Sequence, residues 1–139
     1  MNGRTGAAPV TQHIGGVALV VPDYDDAIDF YVGKLGFRLL QDLRLDAKKR
    51  WVTVAPPGSV PGTALLLACA DGPDQQAAIG NQTGGRVFLF LHTDDFDRDH
   101  ARMLAVGVLF EEEPRRDADG IVAVWRDPFG NRWDLLELQ

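Results

Sequence analysis

The chain has 139 residues, which suits a single domain able to remove roughly 68% of its unfolded surface from water. With 45% apolar and 24% charged residues it has a globular composition, and its net charge of -6 argues against a nucleic-acid partner, because such binding rests on clustered Lys and Arg. Cys69 is the sole cysteine, which excludes an intrachain disulfide and fits a reducing cytoplasm; the longest apolar run, residues 64–70, is too short to cross a membrane.

Residues 1–12 lack an apolar stretch, so they are expected to form a flexible segment and not a signal peptide. Val17-Ala18-Leu19-Val20-Val21 then forms an apolar strand. Asp23 is placed to cap a helix, with Asp25 and Asp26 at the positive end of its dipole, and Ala27, Ile28, Tyr31 and Leu35 make one apolar stripe before Gly36 stops it. Strands are predicted over 37–45, 51–55 and 63–70, punctuated by Pro56-Pro57-Gly58 and Pro61-Gly62. The only basic triplet, Lys48-Lys49-Arg50, fits a solvated strand entrance.

Residues 71–85, rich in Gly, Gln and Asn, read as a linker with a helical turn near 75–79. Seventy residues after the first strand, Val87-Phe88-Leu89-Phe90-Leu91 repeats its pattern. Thr93, Asp94 and Asp95 open a second helix whose buried side would carry Phe96, His100, Met103 and Leu104, and Gly107 ends it. Strands follow at 108–112, 121–127 and 132–138, with Asp119-Gly120 as a hairpin signal. The prediction is an α+β fold over 13–139: two βαβββ modules, 13–70 and 86–139, forming a curved mixed sheet around a pocket with helices outside.

The stretches Val17-Ala18-Leu19-Val20-Val21-Pro22-Asp23, Ala27-Ile28-Asp29-Phe30-Tyr31, Leu35-Gly36-Phe37 and Asp127-Pro128-Phe129-Gly130-Asn131 resemble the vicinal oxygen chelate superfamily of glyoxalases, bleomycin-resistance proteins and extradiol dioxygenases. The resemblance implies a homodimer, and in many members a metal held by the first and last strands of each module. Carried onto this chain, the four ligand places fall on Gly16, on Leu65 or Leu67, on Arg86 and on Asp134. Glycine, leucine and an always-charged guanidinium offer no lone pair to a cation, so one carboxylate remains where a divalent centre needs at least three protein ligands. No metal and no other cofactor is therefore expected.

Without a metal the pocket would present Arg86, Phe88 and Phe90 on one strand face with Asp134 nearby, and Trp51, Trp125 and Trp133 as further walls. Arg86 either pairs with Asp134 or holds a substrate carboxylate. His92 would point inward if its strand runs that far, and Cys69 has the parity of Leu65 and Leu67. The preferred function is a metal-free protein that binds a flat or aromatic small organic molecule. The alternative is a lyase, isomerase or dioxygenase of the same superfamily, with Asp134 as the only catalytic candidate and a metal site not evident in the sequence. The partners expected are that molecule and a second copy of the chain, with no nucleic acid and no membrane.

Overall fold

In the computed structural model, which describes residues 9–139, the first strand is β1 (Gly16–Val21), with Leu19 and Val21 buried. The first eight residues of the predicted N-terminal segment lie outside the described residues. Asp23 caps α1 (Tyr24–Ile28): its carboxylate accepts from the Asp26 N–H at 2.9 Å, satisfying one of the helix's free donors. The helix widens into a π turn over Asp29–Lys34, with the Leu35 N–H reaching the Phe30 carbonyl, and ends at Gly36, whose φ of +81° disfavours any residue with a Cβ.

Three strands complete module one: β2 (Arg38–Arg44), β3 (Arg50–Ala55) and β4 (Ala64–Cys69). They assemble in the order β1-β4-β3-β2, with β1 parallel to β4 and the other pairs antiparallel. The linker carries the short α2 (Pro73–Ala78), close to the predicted helical turn. Its Gln82 side chain makes both an N–H and a carbonyl bond to the Val20 backbone, occupying part of the free edge of β1.

Module two repeats the plan with β5 (Leu89–His92), α3 (Phe96–Ala105), β6 (Leu109–Phe110), β7 (Arg115–Asp117), β8 (Gly120–Arg126) and β9 (Arg132–Leu138). The order is β5-β9-β8-β6, with β5 parallel to β9 and β7 also lying on β8. Thus β6 and β7 together stand where β2 stands in module one. The predicted strand at 108–112 is shorter than expected, and β7 was not foreseen; Pro114, which lacks an N–H, falls in the gap between them. Asp95 caps α3 by accepting from the Arg98 N–H at 3.1 Å, and Phe96 and Met103 are buried as predicted. Leu104, placed on the buried side from the sequence, is exposed. Beyond Asp119 the hairpin turns at Gly120, where an added Cβ would sit 2.2 Å from the Glu137 carbonyl oxygen.

The core lies between the modules. One face of sheet one supplies Leu19, Val21, Val52, Val54, Leu65 and Leu67; one face of sheet two supplies Ala123, Trp125, Trp133 and Leu135. Phe30, Tyr31 and Phe37 fill the space between, and Trp125 stacks on Trp133 with ring centroids 5.0 Å apart. Each such large side chain contributes roughly 1.5–3 kcal/mol by leaving water. A polar lock crosses this core: the Tyr31 hydroxyl donates to Asp127 Oδ2 at 2.6 Å and accepts from Trp133 Nε1 at 3.2 Å. Burial, reinforced by the Asp127 charge, holds the Tyr31 phenol well above its usual 10. Arg102 adds a second link by donating to the Leu35 carbonyl. Among the described residues no helix is long and apolar enough to cross a membrane.

Candidate functional site

Because the core takes one face of each sheet, the other face of each is left open. On sheet one the register sets Gln41 opposite Thr53, Thr53 opposite Leu66, and Leu66 opposite Ala18, one row across all four strands. Trp51 and Leu43 form the next row. A hollow of about 540 Å³ lies on this face, walled by Gly16, Ala18, Leu40, Trp51, Ala64 and Leu66, with Gln41 and Thr53 as the polar side chains of its lining. Trp51 keeps 41% of its surface exposed, which makes it the one tryptophan open to solvent. No charged residue belongs to the lining.

On sheet two the open face carries Phe90, opposite Asp134, with Val124 and Leu136 beside them. Phe90 is 58% exposed. Asp134 Oδ1 is buried without a hydrogen-bond partner, and burial pushes the carboxyl above its usual range; Arg115 and Arg132 oppose the rise and Glu112 adds to it. Nearby charges are neutralised among themselves: Glu111 binds Arg126 and Arg132, and Glu112 binds Arg115.

Several sequence expectations require correction. Trp125 and Trp133 are 0% and 3% exposed, belong to the inter-module core and do not line the hollow of sheet one. Leu65 and Leu67 are buried in that core as well; it is Leu66 between them that faces the hollow. Cys69 shares the core-side parity, donates to the Pro22 carbonyl, and has a thiol pushed up by burial, the opposite of an activated thiolate. Phe88 packs against the core cluster. Arg86 is exposed, and the cations that act on Asp134 are Arg115 and Arg132, so the Arg86–Asp134 ion pair does not form. His92 ends β5 exposed and lines a different cleft, of about 570 Å³, between the modules with Phe37, Pro57, Arg98 and Asp99.

The places at which the family resemblance would put a metal do not suit one. Gly16 and Leu66 bring no donor atom to the open face of sheet one, and among the described residues no group of three His, Cys, Asp or Glu side chains converges. Gln41 escaped the sequence reading altogether. The register between β2 and β3 slips between Leu39 and Gln41, a bulge with Leu40 as the extra residue. Strict alternation would give Gln41 the same face as Leu39, which lies opposite the core residue Val54. The bulge moves it to the hollow, and nothing in Leu39-Leu40-Gln41 announces that.

Comparison with known proteins agrees with this architecture. Residues 13–135 match the family described as Glyoxalase/Bleomycin resistance protein/Dioxygenase superfamily. An uncharacterised protein of Shewanella frigidimarina is 56% identical over 128 residues, covering 91% of this chain and 94% of that one. The crystal structure of TnmS3, an antibiotic binding protein from Streptomyces sp. CB03234, is similar at a TM-score of 0.75 and 32% identity, covering 95% and 100% of the two chains. That of UcmS2 is similar at 0.79 and 28%, covering 91% and 98%. With the strand order, the two repeated modules and a family match across nearly all of its length, the chain belongs to the glyoxalase/bleomycin resistance protein/dioxygenase superfamily.

Proposed function

We propose that this chain is a metal-free binding protein that takes a flat or aromatic organic molecule on the open face of module one. The observation that carries the reading is the hollow of about 540 Å³ with a half-exposed Trp51 on its wall and no charge in its lining. Mostly apolar walls with a few polar groups favour an organic ligand, and an indole offers a large flat surface at low entropic cost. That TnmS3 is an antibiotic binding protein supports the same class.

The partner is a second copy of the chain. In one chain Leu40, Leu43 and Trp51 on sheet one, and Phe90 and Leu109 on sheet two, are all left exposed on the open faces, and a second chain would cover them. Two copies arranged so that sheet two of one covers sheet one of the other would bring Phe90 and Asp134 over the hollow and complete the pocket from both chains. Sedimentation equilibrium is expected to give twice the chain mass, and Phe90→Arg to give the monomer; a monomeric wild type would overturn this arrangement.

Titration of intrinsic fluorescence with flat aromatic compounds tests the function. Saturable quenching in the wild type, lost in Trp51→Ala, is expected, and no response to any such compound would sink the reading. A catalytic alternative, as lyase, isomerase or dioxygenase, draws on one feature, Asp134, whose buried Oδ1 has no hydrogen-bond partner and whose carboxyl is pushed up by burial. Stoichiometric Zn, Fe, Ni or Mn in protein purified without chelator would favour it.

A further inference from the structure

Trp51 and Thr53 point their hydrogens at the same atom. The indole Nε1–H donates to Gln41 Oε1 at 2.8 Å, and the Thr53 hydroxyl donates to that oxygen at 3.3 Å. An indole nitrogen can only donate, so the amide has one possible orientation: its oxygen toward Trp51 and its NH2 away. Among the described residues no protein acceptor takes the two Nε2 hydrogens. The residues that place this amide are therefore also the ones that fix which end it presents, and the bulge at Leu40 brings it to the hollow.

We infer that Gln41 is the specificity-determining residue of the module-one hollow and that its free amide N–H groups recognise an oxygen acceptor in the plane of an uncharged aromatic ligand, such as a ring ketone. This rests on the binding reading above and narrows it. Trp51 supplies the flat surface, and its N–H is already spent on Gln41, so a ligand stacking on the indole finds the donor beside it on the Gln41 amide. A carboxylate or phosphate is disfavoured because no Lys or Arg lines the hollow to balance it.

The test uses 9-fluorenone and fluorene, planar tricyclics that differ by one carbonyl oxygen, with dissociation constants from tryptophan fluorescence titration. The wild type should bind fluorenone about tenfold more tightly, the upper end of what one net hydrogen bond contributes. Gln41→Glu can still accept from Trp51 and Thr53 but presents a second acceptor where the donor was, and should abolish or reverse the preference. Gln41→Leu should bring the ratio near one while changing fluorene affinity by less than about threefold, because the apolar contacts remain. Equal affinities in the wild type, or a preference that survives both substitutions, overturn the inference and leave the binding function standing. Failure of both compounds to bind overturns the inference, and it overturns the binding function as well only where every other flat aromatic compound also fails to quench. Unchanged urea midpoints in both variants would tie the effect to recognition and not to folding.

Discussion

Two tryptophans in this chain donate an indole N–H to a polar side chain, and the difference lies in what remains afterwards. In the core, Trp133 donates to Tyr31, Tyr31 to Asp127, and Asp127 accepts four bonds in all, from Tyr31, from the Asn131 amide and from the Phe129 and Asn131 N–H groups. That carboxylate has nothing left to offer. On the open face, Trp51 and Thr53 take up only the oxygen of Gln41, and among the described residues no protein acceptor takes the amide hydrogens of this hollow-lining side chain. A buried carboxylate with every acceptor taken fixes structure, although Asn131 Oδ1 beside it has no partner, whereas an amide left half open at a cavity wall is free to select a ligand.

The sharpest way to break the comparison is at the closed end. Asp127→Ala would strand the Tyr31 hydroxyl, the Asn131 amide and two backbone N–H groups inside the protein. Buried donors without acceptors cost about 1–3 kcal/mol each before relaxation, so urea unfolding at neutral pH should register a loss of roughly 3–5 kcal/mol. A loss under about 1 kcal/mol would mean that water substitutes for the carboxylate, and the lock between modules would lose its meaning. Tyr31→Phe is milder, since it deletes one hydroxyl and leaves Asp127 three of its bonds. A loss of about 1–2 kcal/mol is expected by the same measurement.

The sequence disclosed the closed network's parts but not their meeting. Tyr31 and Asp127 belong to two of the stretches that carry the family resemblance, ninety-six residues apart, and only the fold brings the hydroxyl to the carboxylate. Caps and stops were legible because their chemistry is local: Asp23 and Asp95 accept from their own first turns, and Gly36 and Gly107 take positive φ at the helix ends. Strand faces were not. Leu65-Leu66-Leu67 is apolar at every step, so it holds no alternation from which to tell the core side from the open side, and the pair expected to face the pocket lies on the core side. The same ambiguity in Val122-Ala123-Val124-Trp125 hides the face of Trp125, whereas Trp133, between Arg132 and Asp134, alternates and so takes the core face opposite Asp134. Gln41 was hidden by a bulge, which inverts parity without changing composition.

A smaller effect probes the open face of module two. Asp134 has its folded-state carboxyl raised by burial, so the folded chain binds the proton more tightly than the unfolded chain does. Stability from this group therefore falls as pH rises from the usual 3.8 through the raised value, the reverse of an ion-paired aspartate. Asp134→Asn should raise the urea midpoint relative to wild type at pH 7 and leave it unchanged near pH 3, where both states are protonated. A variant less stable at pH 7 would indicate that Arg115 and Arg132 hold the carboxylate as an ion pair in solution.

The smallest change in stability should come from the site itself. Trp51 is large, but it stands on the open face with much of its ring in water, so Trp51→Ala removes less buried area than any core aromatic would. In a monomer the cost should be about 1 kcal/mol or less. In a dimer covered as proposed, the same substitution removes an interface contact, and the stability loss should grow with protein concentration as folding becomes coupled to association. Urea midpoints of wild type and Trp51→Ala measured across a hundredfold range of concentration separate the two cases. A difference that stays constant places Trp51 at a free surface, and one that widens places a second chain over the hollow.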